Sequence, residues 1–193
     1  MAKGRAILVA AVGALLLVLA SGAAWAAMIQ CSPDERRCVG TDNPDSIYGT
    51  DDGTDDDNDE FEDIRGREGA DRIYGRGGDD REYEVGGGLH GDDGEDVVRG
   101  GGGDDSLFGG NGPDRLYGGP GNDSLKGEKQ LSDGRPASDR MSGGASDDFV
   151  DALDSRRDQI YCGPGRDTVY ADDREGGGHP DVVDDSCEEV TRR

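Results

Sequence analysis

Between residues 91 and 126 the apolar residues of this chain recur at a fixed spacing of nine. Val98, Leu107, Leu116 and Leu125 each stand in the middle of a short segment, VVR, SLF, RLY and SLK. Each segment predicts a very short strand with this one side chain pointing inward. One such residue per strand cannot form a core, so we expect the strands to stack until the apolar side chains form a ladder between two facing sheets.

Glycine and aspartate also recur at fixed positions within the nine-residue period. The four rows read GDDGEDVVR, GGGGDDSLF, GGNGPDRLY and GGPGNDSLK, with Gly at positions 1 and 4, Asp at position 6 and the apolar residue at position 8. Glycine adopts backbone conformations closed to other residues, so the carbonyl groups of such a turn can face one point while Asp adds a carboxylate. Calcium prefers about six to eight oxygen ligands, so neighbouring turns are expected to share an ion.

These four rows resemble the GGxGxDxUx nonapeptide of the RTX (haemolysin-type) calcium-binding family. The resemblance implies an all-β fold, a right-handed parallel β-roll in which two rows form one coil of a two-sheet solenoid. Alternate turns then lie on the same edge, which pairs Asp96 with Asp114 and Asp105 with Asp123. The alternative is a disordered Gly/Asp-rich linker, but such linkers lack an apolar residue in phase.

We expect several calcium ions, bound by carboxylates together with carbonyl groups of the glycine turns. The predicted ligands in the central block are Gly91, Asp96, Gly100, Gly101, Gly103, Asp105, Gly109, Gly110, Gly112, Asp114, Gly118, Gly119, Gly121 and Asp123. Weaker sites are expected at Asp71, Asp148 and Asp167, which hold position 6 in rows outside that block.

The first 26 residues predict secretion. Lys3 and Arg5 precede an uncharged apolar run over residues 6–20, and residues 24–26 form a small-x-small motif. This pattern is typical of a signal peptide, residues 1–26, that is cleaved at its last alanine. An uncleaved membrane anchor is the alternative, although the run is short for a span. After cleavage we expect no membrane span.

The charge balance narrows the possible partners. The full chain has a formal net charge of −23, and loss of the two basic residues of the leader changes it to −25. Nucleic acid is therefore not an expected partner. Only 32% of residues are hydrophobic, and many of these are in the leader, so an ordinary globular core is not available. Bound cations are a more specific explanation of the periodic aspartates than disorder.

Residues 40–184 are predicted to form the whole roll, although rows outside the central block keep the period less strictly. The acidic tract from residue 49 to 65 blurs the phasing before Ile64 returns to an inward position. Its D-x-D-x-D run resembles the start of an EF-hand, but Glu60 stands where that loop needs glycine. We interpret the tract as a solvated, looped section of the solenoid.

Three further segments are irregular. Row 75–83 has Glu82 at the inward position 8, which predicts a local register defect. Residues 127–133 form an insertion that is expected to bulge from one edge. Row 153–161 lacks glycine, so we expect it to keep its strand and lose calcium, with an arginine near the carboxylates in place of the ion.

Four cysteines in a secreted chain predict disulfides. Cys31 and Cys38 predict a local N-terminal loop over residues 27–39, and no ligand set with zinc spacing accompanies them. The final section resembles the closing segment of secreted actinobacterial RTX-like proteins, in which a CGPGRDxV row precedes a C-E-x-V ending. That resemblance implies a C-terminal cap, residues 162–193, stapled by a disulfide between Cys162 and Cys187.

No catalytic constellation is evident, because the two histidines, His90 and His179, are expected in loops and no G-x-S-x-G motif is present, so an enzyme is not predicted. The predicted function is that of a secreted, extracellular calcium-binding protein whose ion binding drives its folding. The alternative is an adhesive or matrix protein with a cell-surface or polysaccharide partner, in which calcium is only structural. Its supporting feature is a row of tyrosines at position 9, namely Tyr48, Tyr74, Tyr117, Tyr161 and Tyr170.

Overall fold

Regular structure in the described part of the chain consists of β-strands, with no helix. A computed structural model describes residues 7–11, 14–18, 26–32, 37–50, 63–81, 87–127, 137–173 and 179–193. The strands are β1 (Ile7–Ala11), β2 (Ala14–Val18), β3 (Ala27–Gln30), β4 (Arg37–Val39), β5 (Ser46–Tyr48), β6 (Asp63–Glu68), β7 (Arg72–Gly77), β8 (Gly88–Asp93), β9 (Val97–Gly102), β10 (Ser106–Asn111), β11 (Arg115–Pro120), β12 (Ser124–Lys126), β13 (Arg140–Ala145), β14 (Phe149–Ala152), β15 (Gln159–Tyr161), β16 (Thr168–Ala171), β17 (Val182–Val183) and β18 (Glu189–Arg192).

Successive strands alternate between two sheets. Odd-numbered strands from β3 onward form the first sheet, and even-numbered strands from β4 onward form the second. Each pairs in parallel with the strand two places along the chain, so every coil contributes one strand to each sheet. This arrangement confirms the predicted parallel two-sheet solenoid. The hairpin of β1 and β2, which lies within the predicted leader, joins the first sheet antiparallel to β3.

None of the described residues belongs to a helix that is long and apolar enough to cross a membrane.

The strands of the regular rows are longer than the sequence predicts. β10 combines the last three residues of one row with the first three of the next, so positions 8 and 1 both point inward. Leu107 and Gly109 are the two buried residues of this strand. Glycine is required at position 1, because a Cβ on Gly109 would lie 2.7 Å from Oδ2 of Asp114. In the regular rows the strand therefore continues through position 1 into the turn because glycine has no side chain there.

The core is a ladder of single apolar side chains, as predicted. Val98 is aligned with Leu116 and Leu116 with Met141 in the first sheet, and Leu107 is aligned with Leu125 in the second. Each buried side chain of this size contributes roughly 1.5–3 kcal/mol. The fully buried members are Ile47, Ile64, Ile73, Leu89, Val98, Leu107, Leu116, Leu125, Met141, Val150, Ile160 and Val169.

Leu89 takes the inward position of the second sheet that follows Asp80, which agrees with the register defect predicted at Glu82. Leu89 is fully buried and is aligned with Ile64 and Leu107 in the second sheet. It follows Asp80 by nine residues, whereas positions 6 and 8 of a regular row are two apart. An inward carboxylate is costly, so a shift of the inward position away from Glu82 is favourable. Glu82 itself lies outside the described residues.

The insertion near residue 127 also leaves the register intact. Leu116 and Met141 remain paired across it, and Gly127, which the sequence analysis placed inside the insertion, occupies a buried position 1 beside Asp139. The rest of the predicted bulge, residues 128–133, lies outside the described residues, as do residues 51–62 of the acidic tract. Ile64, at the end of that tract, is buried as expected.

The parallel sheets begin before residue 40, where the sequence phasing starts. β3 pairs with β5 and β4 pairs with β6, so the predicted N-terminal loop is already part of the roll. The predicted disulfide between Cys31 and Cys38 is present and connects the ends of these two strands. Residues 33–36 between them lie outside the described residues.

The C-terminal cap is stapled as predicted, by a disulfide between Cys162 and Cys187. Cys162 is buried at position 1 of its row, where most other rows have glycine. The cap does not hide the end of the second sheet, because all four residues of β18 are exposed. Glu189 and Arg192 on this strand supply charges that oppose pairing with a strand of another molecule.

Gly101 and Gly102 provide a matched test of the backbone constraint. Gly101 has φ +128° and a Cβ there would lie 1.9 Å from the Arg76 carbonyl oxygen, whereas no atom lies within 4 Å of a Cβ on Gly102. We expect Gly101→Ala to lower the free energy of unfolding by at least about 1–3 kcal/mol. Gly102→Ala should change it by less than about 0.5 kcal/mol. Thermal unfolding in calcium, followed by circular dichroism, measures both, and equal losses would contradict the assignment.

Candidate metal centre

The position-6 aspartates form two columns, one along each edge of the roll. They are buried, and each column crosses successive coils. The first aspartate ladder comprises Asp45, Asp71, Asp96, Asp114, Asp139, Asp158 and Asp181, and the second comprises Asp80, Asp105, Asp123, Asp148 and Asp167.

Each carboxylate in a ladder connects two coils. The backbone N–H of Asp96 donates to Oδ1 of Asp114 at 2.8 Å, and the N–H of Asp105 donates to Oδ1 of Asp123 at 2.9 Å. The structure therefore brings together both aspartate pairs that the sequence analysis placed on common edges. The second ladder ends at Glu188, whose Oε2 accepts from the Asp167 N–H.

The other carboxylate oxygen, Oδ2, faces the inside of the turn. A Cβ on Gly100 would lie 2.2 Å from Oδ2 of Asp105, and a Cβ on Gly118 would lie 2.2 Å from Oδ2 of Asp123. A buried carboxylate oxygen without a hydrogen bond is unfavourable, so the column needs a cation or a proton. Among the described residues, Oδ2 is buried without a hydrogen-bond partner in Asp71, Asp96, Asp105, Asp114, Asp123, Asp148, Asp158 and Asp167.

Burial raises the pKa of these carboxyl groups, because the charged form loses its water. The backbone N–H donors oppose this effect in part, and nearby carboxylates add to it in most of the ladder. The pKa of Asp114 is raised to about 9, that of Asp96 and of Asp123 to about 7, and that of Asp105 to about 6. Without a cation, these carboxyl groups therefore keep a proton to a higher pH than an exposed aspartate does.

The predicted glycine ligands have two distinct structural roles. Those at position 1 make room for the carboxylates, as described for Gly100 and Gly118. Those at positions 2 and 4 have φ between +101° and +139°, and their α-carbons lie against carbonyl oxygens of the preceding coil. A Cβ on Gly119 would lie 2.0 Å from the Gly101 oxygen, and one on Gly121 would lie 1.8 Å from the Gly103 oxygen. Carbonyl groups of stacked turns thus point along the roll axis.

The sequence analysis missed a third polar column, at position 5 beside the second ladder. The N–H of Asp104 donates to Oδ1 of Asp79 at 2.8 Å, and the N–H of Asp147 donates to Oδ1 of Asn122 at 3.1 Å. The side chain here accepts from the following coil, in the opposite direction to the second ladder. Its sequence signal is the DD or ND doublet of these rows, which the first-ladder rows lack.

The position-9 tyrosines do not form one open row. Tyr170 lies on the second sheet, whereas the others lie on the first. Tyr48 and Tyr74 stack with ring centroids 4.9 Å apart, and the Arg99 guanidinium lies 5.4 Å from the Tyr74 centroid and 4.9 Å from that of Tyr117. Both faces of Tyr74 are covered, so its ring is not available for stacking on a ligand.

His90 lies in β8 and not in a loop, contrary to the prediction. Its ring is half-buried and stacks on Phe108 with a centroid separation of 4.5 Å, and Nε2 lies 3.1 Å from the Gly87 carbonyl oxygen. Burial lowers the pKa of the imidazole. His90 therefore belongs to the outer surface of the second sheet.

The repeats match a known family. Residues 53–81, 89–128 and 133–169, more than half of the chain, match the RTX calcium-binding nonapeptide repeat. The chain belongs to the RTX repeat family. No curated protein and no solved structure matched it. RTX repeats bind calcium, and the columns of buried aspartates support calcium binding by this RTX chain.

The donor set of the RTX ladders fits calcium. It consists of carboxylate oxygens and turn carbonyl groups, and the described ladder residues include no histidine or cysteine, the ligands that zinc prefers. The buried Oδ2 atoms supply negative charge at the point where adjacent turns stack. An ion bound there would neutralise the charges of both coils.

The raised pKa values predict that the ion-free RTX roll loses stability as the pH rises. Asp titrates near about 3.9 when unfolded, so the folded state binds more protons above that pH. The stabilisation that comes from protonation of the buried aspartates is fully present below about pH 4. It is lost as the pH rises through about 6 to about 9, the folded pKa values of Asp105 and Asp114. Circular dichroism in chelator across this range measures it, because the β-sheet signal follows the fraction of folded protein.

Excess calcium provides the control for that measurement, because the ion replaces the proton as the counter-charge. We expect calcium to raise the melting temperature more at about pH 8 than at about pH 5. A stability in chelator that increases between those two values would contradict the prediction.

Proposed function

We propose that this RTX protein is a secreted calcium-binding protein in which ion binding and folding of the roll are one event. The observation that carries the proposal is the column of buried carboxylate oxygens without hydrogen-bond partners in each edge of the roll. Such oxygens are unfavourable in a folded protein unless a cation or a proton neutralises them. At neutral pH outside the cell, calcium is the available counter-charge for all-oxygen sites.

The balance of stabilising and destabilising contributions to folding supports coupling between calcium binding and folding. A mature chain with a net charge of −25 must bring carboxylates together in turns, while each row contributes one apolar side chain to the core. Ordering a glycine-rich backbone adds a large entropic cost. One calcium site contributes about 1.4 kcal/mol at roughly ten times its dissociation constant, so several sites acting together are needed to fold the roll.

The ligand assignment follows the ladders. The best sites lie between Asp96 and Asp114 and between Asp105 and Asp123, completed by carbonyl groups of the glycine turns. Weaker sites are assigned to Asp71, Asp148 and Asp167, whose rows are less regular. The support is the burial of these side chains and the stacking of glycine turns between them.

Secretion would supply the ion. The N-terminal segment has the features of a signal peptide, and the two disulfides are consistent with an extracellular location. Extracellular calcium modules bind the ion with dissociation constants of about 0.1 to 1 mM. A roll with sites in this range would remain unfolded inside the cell, where calcium is scarce, and fold after export.

Chelation should unfold the roll at neutral pH. We expect far-UV circular dichroism to lose its β-sheet signal in excess chelator and to regain it when calcium is added. Magnesium should restore it poorly, because it retains its waters and demands a tighter octahedral site. A β-rich spectrum that persists in chelator at about pH 8 would show that the ladder and disulfides suffice without the ion.

Replacement of Asp105 and Asp123 by Asn tests the ligand assignment. Asn keeps the Oδ1 acceptor of the ladder hydrogen bond and removes the charge at Oδ2. We expect the double variant to bind at least one calcium ion fewer per chain in isothermal titration calorimetry. Asp93→Asn with Asp185→Asn is the matched control, because both side chains are exposed and the charge change is the same. Unchanged stoichiometry in the Asp105 and Asp123 variant would refute the assignment.

A further inference from the structure

The turn between β14 and β15 differs from the other turns of the roll. It follows Ala152, which occupies the buried position 1, and the segment from there to Tyr161 contains no glycine. The ladder aspartates on either side of it, Asp139 and Asp158, are 19 residues apart, whereas Asp96 and Asp114 are 18 apart. The extra residue is accommodated by a left-handed backbone at Ser155, with φ +70°.

Asp154 is held in a defined position in this turn. Its Oδ1 accepts from the Arg156 N–H at 2.7 Å. The N–H groups of Asp154 and Ser155 donate to Oδ2 of Asp172 in the next coil, the first of them at 3.1 Å. These bonds fix the middle of the turn, residues 154–156. Asp154 is half-buried and lines the same cavity as Asp158.

Three carboxylates meet at this point. One oxygen from each of Asp139, Asp154 and Asp158 lies within 4.8 Å of the other two. Calcium–oxygen distances are about 2.3–2.6 Å, so two ligands on opposite sides of one calcium ion lie at most about 5 Å apart. The cluster therefore has the dimensions of a site for a single ion.

A second observation points to a ligand. Asp158 is fully buried, its Oδ1 accepts from the Asp139 N–H at 2.8 Å, and its Oδ2 has no hydrogen-bond partner. Asp158 lines a cavity of about 270 Å³ next to Asp154. The cluster thus combines a buried carboxylate oxygen that has no hydrogen-bond partner with an adjacent cavity that Asp154 and Asp158 line.

Neither arginine of this turn neutralises the cluster. The ion pairs of the described residues do not join Arg156 or Arg157 to Asp139, Asp154 or Asp158. Lys126 lines the cavity, but no ion pair links it to these carboxylates in the described part of the chain. The expectation that a guanidinium replaces the ion in this row is therefore not supported.

We propose that Asp139, Asp154 and Asp158 form a separate divalent-cation site, specific for calcium, in which side-chain carboxylates replace the carbonyl ligands of the glycine turns. Two of its ligands belong to the first aspartate ladder, and the third comes from the glycine-free turn. Three carboxylates give it more negative charge than a regular pair, and calcium affinity increases with the charge of the ligand set. It is therefore a tighter site than those of the glycine turns.

Asp154→Asn tests the site. The amide keeps the acceptor for the Arg156 N–H and removes the charge, so the turn is retained. Isothermal titration of the purified full chain with calcium alone should show the tightest step weakened or lost, because one of the three ligand charges is removed. Asp151→Asn is the matched control, since Asp151 lines the same cavity outside the cluster, and it should bind like the unmodified protein. Unchanged affinity and stoichiometry for Asp154→Asn would overturn the proposal.

The test of the Asp154 site can be distinguished from the test of the glycine-turn sites in the proposed function. Loss of the tightest ion in Asp154→Asn, with no loss in the Asp105 and Asp123 variant, would support this site and refute the glycine-turn assignment. The converse result would refute this site alone. A crystal structure grown with calcium, in which an ion must lie about 2.3–2.6 Å from the Asp154 carboxylate, decides the matter should the variant fail to fold.

Discussion

The burial of one carboxylate per turn is the constraint on which the rest of the roll depends. The Oδ1 atom of each ladder aspartate accepts a backbone N–H of the preceding coil, so the side chain is part of the stacking of coils. Its Oδ2 atom occupies the space over position 1, which excludes any Cβ in the regular rows and makes glycine obligatory there. The same atom carries the charge that the proposed cation would neutralise. In the proposed function, the fold and ion binding therefore depend on the same side chain.

Much of the fold could be predicted because the nine-residue period meets two independent requirements, one apolar residue for the core and one aspartate for the turn. The strands are marked by Leu107 and Leu116, and the turns are marked by Asp105 and Asp114. The apolar pattern and the aspartate pattern have the same phase, so each supports the assignment made from the other. Between Asp80 and Leu89 a strict count places Glu82 inward, and the cost of burying a carboxylate predicted the register defect that the structure shows at Leu89. The residue that takes the inward position could not be predicted, because Val85 and Leu89 are both apolar and both lie beside glycine. Strand length was also underestimated, because the interior role of position 1 is visible only once the carboxylate above it is placed.

Part of the candidate site could also be predicted from the sequence, and part of it could not. The pairs Asp96–Asp114 and Asp105–Asp123 follow from two rows per coil, and the structure forms both. The position-5 column of Asp104 and Asn122 was overlooked, although a doublet of Asx residues in alternate rows signals it. The position of Asp154 could not be predicted, since it depends on one extra residue and a left-handed Ser155 in a turn without the family pattern. Pattern analysis identifies what repeats, and a departure from the pattern must be read from the geometry.

The length of a ladder hydrogen bond does not depend on how many residues lie between the two aspartates that it joins. The bond from Asp96 to Asp114 spans 18 residues and that from Asp114 to Asp139 spans 25, yet both measure 2.8 Å. Coil spacing is set by contacts between aspartates and not by contour length. An insertion between position 6 and the next inward residue, or between position 1 and position 6, leaves the stacking of coils intact in this chain. Loops of different length and composition can therefore be attached at these two places while the aspartate edges keep the same geometry.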